Sequence, residues 1–212
     1  MSKNIVDGKL VEVSPSMIST FDAESAFGCE RRGFYKYVMG LKQLGTDLHA
    51  LVAHRLRSGT TPEGEGEAFG LYLGGQQMIE EVAKRTIVAV EEPLTSFKIA
   101  DVKVKGFIDV VTSDGIIDWK TTSNINRYGK REEDLRTDTQ MVIYAQASHP
   151  VLSNVTLAHG QFQTKGRGVA FVETEVSREM LDSHTDKVIV PLVERIKVVA
   201  GFTDAKEAKP VN

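Results

Sequence analysis

Residues 106–123, GFIDVVTSDGIIDWKTTS, constrain this chain more than any other stretch. Two runs rich in Ile and Val flank Ser113-Asp114-Gly115, the composition of a β-hairpin. Yet Asp109 and Asp118 stand inside the apolar runs, and Lys120 follows closely. Side chains alternate along a strand, so Asp118 and Lys120 share one face, as do Phe107, Asp109 and Val111. With Asp114-Gly115 as a two-residue turn, Val111 falls opposite Asp118 and Asp109 opposite Lys120. Opposed residues in a hairpin point the same way, so all three ionisable groups meet on one face. A four-residue loop keeps that parity, whereas a three-residue loop without a bulge breaks it.

The same face carries Phe107, Val111 and Ile116, so the two acids are expected to be only partly solvated. Burying two unpaired carboxylates costs several kcal/mol or shifts a pKa. Lys120 can compensate one charge, and a divalent cation can compensate both. Hard carboxylate ligands with room for water and phosphate oxygens suit Mg²⁺. Such an ion polarises a phosphoryl oxygen and makes water a nucleophile near neutral pH. Lys120 beside it could orient that water, act as its base, or stabilise transition-state charge. Spacing alone also allows a plain Asp–Lys ion pair on a solvated sheet face.

The rest of the chain bounds what surrounds this hairpin. At 212 residues it is long enough for one domain with a substantial core. Its 41% hydrophobic and 26% charged content is that of a water-soluble globular protein. No apolar run is long enough to span a bilayer, and MSKNIVDGKLVEV lacks the apolar core of a secretion signal. One cysteine, Cys29, excludes an internal disulfide and any cysteine-held cluster made within the chain. A cytoplasmic setting is expected. The net charge of −3 argues against a histone-like binder, but not against an enzyme with a local basic groove.

Along the chain, residues 1–13 read as an extension and residues 14–57 as helices. Ser14 or Ser16 is a helix cap, and Leu48, Leu51, Val52 and Leu56 recur at helical spacing. Residues 58–67 form a polar loop. A helical stretch follows, interrupted at Gly74 and Gly75. Residues 88–175 hold the catalytic core: strands in VAVEEPL, FKIADVKVKGFIDVV and GIIDWKT, then a helix capped by Thr137 or Asp138, then a hairpin. A last helix carries Pro191 as a kink or break, and residues 203–212 read as a flexible tail. The order gives an α/β fold with one central mixed sheet flanked by helices.

Four motifs occur in one order. Ser-x-Ile-Ser-Thr-Phe runs through Cys29-Glu-Arg-Arg to Phe34-Tyr-Lys-Tyr. Gly45-Thr-Asp-Leu-His49 follows, then the hairpin with Asp109, Asp118 and Lys120, then Gln140-Met-Val-Ile-Tyr144. Together, over roughly residues 14–175, they resemble the RecB-like exonuclease branch of the PD-(D/E)XK nuclease superfamily, in a stand-alone, phage-type form.

The resemblance implies a restriction-endonuclease-like core and hydrolysis of DNA phosphodiesters. It implies His49, Asp109, Asp118 and the backbone carbonyl of Trp119 as ligands of Mg²⁺ or Mn²⁺, with Lys120 as the catalytic lysine. Gln140 and Tyr144 would support that lysine or touch DNA near the scissile phosphate. Several relatives hold an iron–sulfur cluster on four cysteines; with Cys29 alone, no such cluster is expected here, and Glu30 replaces a common proline. The partner implied is DNA, as single strands or ends, in recombination, repair or phage DNA metabolism, with a recombination or replication protein as a further partner. A sequence- or structure-specific endonuclease and a non-catalytic DNA-binding subunit are the alternatives.

Arg31, Arg32, Tyr35 and Lys36 could contact phosphates and stack on bases, as could Lys165 and Arg167 from a glycine-flanked turn. His54 lies about 140° round the helix from His49 and cannot easily share its site. His149, His159 and His184 carry no recognisable role.

Overall fold

The computed structural model of the chain describes residues 5–6, 9–21 and 47–200. Arg31, Arg32, Tyr35, Lys36, Cys29, Gly45 and the C-terminal tail lie outside the described residues.

The chain opens with three short strands, β1 (Ile5–Val6), β2 (Lys9–Leu10) and β3 (Glu12–Val13). Helix α1 (Pro15–Phe21) follows, where the Ser14 hydroxyl accepts from the Met17 N–H at 3.1 Å and proline sits at the first helical position. Helix α2 (Asp47–Ser58) carries His49 in its first turn. The expected helix around Gly74 and Gly75 is two helices, α3 (Gly66–Gly74) and α4 (Gln76–Ala83). The break lets the backbone approach the sheet closely: a Cβ on Gly75 would lie 2.3 Å from the Phe162 ring.

Strand β4 (Ile87–Pro93) starts the sheet. The segment 97–111, read as one strand, is three. It forms β5 (Lys98–Ile99) and β6 (Val102–Val104), which pair across Ala100-Asp101, and then β7 (Phe107–Thr112). Ala100 and Asp101 both have positive φ, 48° and 65°, the signature of a tight I′-like turn that composition alone did not announce. β8 (Gly115–Thr122) completes the hairpin. Short helices α5 (Ile125–Tyr128) and α6 (Glu132–Leu135) lead to α7 (Thr139–Ser148), capped by Asp138 through the N–H groups of Gln140 and Met141. β9 (Asn154–Gln163), β10 (Val169–Ser177) and α8 (Arg178–His184) follow. A π-helical turn, Thr185–Ile189, then passes into α9 (Val190–Ala200) at the expected irregularity before Pro191.

The main sheet has the order β10-β9-β8-β7-β4, parallel only between β8 and β9, and a smaller sheet has the order β3-β6-β5. This is the mixed α/β architecture of a restriction-endonuclease-like core. α1, α7 and α9 share one apolar cluster with Val111, Ile116 and Leu157. Val110, Ile117, Trp119, Ala158 and Phe162 face a second cluster built from α2, α3 and α4. Along β8 the two faces alternate residue by residue, Ile116 toward the first cluster and Ile117 and Trp119 toward the second, which delivers Asp118 to the α7 side.

Candidate active site

The hairpin register is Val110↔Ile117 and Val111↔Ile116. The turn therefore sits one residue earlier than Asp114-Gly115. Continued by one step, the register sets Asp109 opposite Asp118 rather than Lys120. Parity survives this two-residue shift, so the acids and the lysine still share a face. Where that next rung would lie, the ladder gives way: the Trp119 N–H donates to Asp109 Oδ2 at 2.7 Å. The strand that carries one acid thus fixes the rotamer of the other.

Asp109 is 6% and Asp118 2% exposed. Lys120 Nζ lies 2.6 Å from Asp118 Oδ2 and donates to Gln140 Oε1 at 2.8 Å. The Gln140 amide Nε2 donates to Asp118 Oδ1 at 3.2 Å and to the Tyr144 hydroxyl at 2.9 Å. One glutamine from the first turn of α7 therefore grips both members of the Asp118–Lys120 pair, and Tyr144, one turn on, holds the glutamine. Burial pushes Asp118 up to about 7, opposed by Lys120 and reinforced by Asp109. Burial alone would depress Lys120, but the Asp118 carboxylate outweighs it and holds the lysine above its ordinary value. Lys120 is accordingly a cation here. Burial also raises the Tyr144 hydroxyl, with Asp118 adding to the effect, so it stays protonated.

On the other side of Asp109 stands a second group. His49 Nδ1 is 3.3 Å from Asp109 Oδ1. Glu91, half-buried on β4, completes a set whose ligand atoms all lie within 4.8 Å of one another: His49, Glu91 and Asp109. Burial would lower His49, but its hydrogen bond to Asp109 and the charges of both aspartates raise it. Glu91 is raised by burial and by the charge of Asp109.

Two anchors place α2 against this set. The Arg55 guanidinium pairs with Glu80 of α4, with Nε 2.8 Å from Oε1, and Arg57 donates to the Val90 carbonyl at 2.7 Å. Glu91 has φ of 54° inside a strand, a left-handed conformation that costs a non-glycine residue roughly 1–2 kcal/mol. Such strain gathers where a side chain is aimed for function. Its neighbours Val90 and Glu92 pair with Val110 and Ile108, which sets Glu91 beside Asp109.

The sequence did not single out Glu91. Its signal was the pair Glu91-Glu92 in an apolar run, but the choice between the two needs the β4–β7 register and the inverted φ. His159 was also passed over. It pairs in register with Asp118 across the parallel β8–β9 ladder, 1% exposed, with Nε2 3.8 Å from Asp118 Oδ2. Burial pushes it down to about 4, so the ring is neutral.

Lys165 and Arg167 are exposed in the β9–β10 turn, four and six residues beyond Gln161, the partner of Lys120. The Arg167 guanidinium lies 3.6 Å from where a Cβ on Gly70 would stand, so it rests against α3. His54 bonds Thr60 at 3.3 Å, at the far end of α2 from His49. His149 is structural, its Nε2 3.0 Å from the Gly115 carbonyl. No helix among the described residues is long and apolar enough to cross a membrane.

Residues 71–197, more than half of the chain, match the family model of the PD-(D/E)XK nuclease superfamily. A candidate exonuclease from Eubacterium rectale has a similar structure, with a TM-score of 0.58 at 13% identity over 90% of this chain and 82% of that one. An alkaline exonuclease from Laribacter hongkongensis, LHK-Exo, matches at a TM-score of 0.42 and 13% identity over 91% of both chains. Its complex with dAMP matches at 0.43 and 12% over 94% of this chain and 93% of that one. No curated protein shows significant sequence similarity to the chain.

Proposed function

The chain belongs to the PD-(D/E)XK nuclease superfamily, and from its site we propose that it is a cation-dependent DNA exonuclease acting on single strands or DNA ends. The observation that carries this is the Asp118–Lys120–Gln140 contact set directly beside the His49–Glu91–Asp109 cluster. The exonuclease part follows the description of the Eubacterium rectale protein, which shares the fold.

The donor set fits a divalent cation. Its carboxylates are buried or half-buried beside one another, which raises Glu91, and at Asp118 Oδ2 the Lys120 ammonium at 2.6 Å is the one close counter-charge among the described residues. His49, Glu91 and Asp109 would hold the ion, with Asp118 and the Trp119 carbonyl closing the set from the lysine side. Two or more carboxylates favour Mg²⁺ or Mn²⁺, and the imidazole favours Mn²⁺ of the two. Such an ion supplies Lewis acidity toward a phosphoryl oxygen and acidifies a water.

The chain's own groups do the rest. Lys120, held protonated, stabilises the charge that grows on the phosphoryl group during attack. Gln140 fixes the ammonium in place, so no reorganisation is needed as that charge appears. Tyr144 keeps the Gln140 amide turned so that its oxygen, not its nitrogen, faces Lys120. A non-catalytic DNA-binding subunit has no need of a lysine held this way.

The test is digestion of end-labelled linear DNA and of closed single-stranded circles with Mg²⁺, Mn²⁺ or EDTA, with Lys120→Ala alongside. Cation-dependent release from linear ends, circles left intact and an inactive variant are expected. Cutting of circles would make it an endonuclease, and inert wild-type protein would favour the binding subunit.

A further inference from the structure

Helix α2 meets the site at both of its ends. In its first turn His49 stands 3.3 Å from Asp109. In its last turn the Arg57 guanidinium donates to the Val90 carbonyl at 2.7 Å. That carbonyl belongs to the peptide unit joining Val90 to Glu91. A peptide unit is planar, so holding its oxygen also fixes the direction of the Glu91 N–H on the other side of the plane. The φ rotation of Glu91 is measured from that plane, and it stands at 54°.

β4 by itself holds this peptide loosely. It is the outermost strand of the main sheet, with β7 as its neighbour. Its register with β7 is irregular between Ile87 and Ala89. It then pairs Val90 with Val110 and Glu92 with Ile108, and Glu91 falls between them. A residue with a Cβ prefers negative φ, so a conformation of this kind persists only where its surroundings impose it.

The docking of α2 does not depend on the Arg57 contact. Leu48 and Val52 are buried in the second apolar cluster, and Arg55 pairs with Glu80 of α4. Arg57 itself is exposed, and substitutions at such positions usually leave stability nearly unchanged. Nor does its charge help to hold a cation. That charge reaches Glu91, where a positive neighbour works against a second positive charge. What Arg57 adds is the position of one peptide.

Resting on the reading that His49, Glu91 and Asp109 hold the cation, we propose that Arg57 is a positioning residue for that site. It pins the Val90–Glu91 peptide so that Glu91 keeps its left-handed conformation and its carboxylate stays beside His49 and Asp109. Without the pin, Glu91 relaxes toward negative φ and the donor set loosens. The helix that carries one donor therefore also sets another, and the site is complete only when both ends of α2 are in place.

The test is calorimetric titration of the full chain with Mn²⁺ in wild type, Arg57→Ala and Arg57→Lys, and in Glu91→Gln with and without Arg57→Ala. On the proteins that keep Glu91, its Cα and Cβ chemical shifts, which follow φ, are read in EDTA. Arg57→Ala is expected to weaken Mn²⁺ binding about tenfold, although loss of a positive charge alone would tighten it. Its Glu91 shifts should move toward those of extended backbone. Arg57→Lys keeps one donor for the carbonyl and should recover most of the affinity. In the Glu91→Gln background, Arg57→Ala should change Mn²⁺ affinity no more than about twofold, because its effect passes through the carboxylate already removed.

Mn²⁺ affinity in Arg57→Ala equal to or above that of wild type overturns the proposal. So do Glu91 shifts that stay in place, or an equal loss in both backgrounds, which would mean that Arg57 acts on the helix as a whole. Failure of the cation reading is separate: Glu91 shifts that move in Arg57→Ala while wild-type protein takes up no Mn²⁺ would keep the peptide clamp and remove the metal.

Discussion

The two halves of the site, on either side of Asp109, are built by opposite means. The lysine half is closed: Asp118, Lys120, Gln140 and Tyr144 satisfy one another through contacts of 2.6–3.2 Å. The His49–Glu91–Asp109 half is a crowd of donors in which Glu91 is strained and carries a raised pKa beside another acid. Self-satisfied groups are fixed before substrate arrives and act through position. Groups that repel one another gain most from a counter-charge and act by holding it. The fold spends buried polar bonds on the first half and backbone strain on the second, and the expected consequences of mutation differ accordingly.

The largest effect is expected at Lys120. Lys120→Met should slow hydrolysis of end-labelled DNA by roughly 10²–10⁴-fold, and a rate near wild type would dissolve the distinction between the halves. Next comes Glu91→Gln, which removes one charge from the crowd. It should weaken Mn²⁺ binding by calorimetry about 10–100-fold while the metal-free protein melts at the same or a higher temperature. A lower melting temperature with unchanged Mn²⁺ affinity would make Glu91 merely structural.

The pH dependence sharpens the comparison further. Asp118 is raised to about 7, above the ordinary carboxylate value. In metal-free protein its proton is bound more tightly folded than unfolded, so this group's contribution favours folding at low pH. That contribution fades as pH rises through about 7. A cation requires the ionised form, so Mn²⁺ affinity should climb as pH rises across the same interval with release of a proton, read from calorimetry in buffers of different ionisation enthalpy. Flat affinity between pH 6 and 8 would show that Asp118 takes no part in holding the ion.

The smallest effect is expected at Tyr144→Phe. It removes one hydrogen bond to Gln140, worth about 1 kcal/mol, and should cost activity no more than about tenfold. A loss as large as that of Lys120→Met would place Tyr144 on the substrate rather than behind the glutamine.

Much of this was legible in the sequence, for a physical reason. Strand alternation has a period of two, so the shared face of Asp109, Asp118 and Lys120 followed from parity and survived a turn placed one residue away from Asp114-Gly115. Helical spacing likewise put Gln140 and Tyr144 on one side of α7, and the motif order carried the family. What was not legible depends on contacts between segments distant in sequence. The split of residues 97–111 turns on positive φ at Ala100 and Asp101, neither of them glycine. Glu91 depends on a cross-strand register and an inverted φ. His159 reaches Asp118 only through the parallel β8–β9 ladder, which local pattern cannot reveal.

The most direct test of the division is to measure Mn²⁺ affinity and cleavage rate on the same preparations of wild type, Asp109→Asn and Lys120→Met. Asp109→Asn is expected to lose both properties. Lys120→Met is expected to bind Mn²⁺ at least as tightly as wild type, having lost a neighbouring positive charge, while cleaving at least about a hundredfold more slowly. If Lys120→Met loses the metal together with activity, or Asp109→Asn keeps its metal, the two halves are not separate devices.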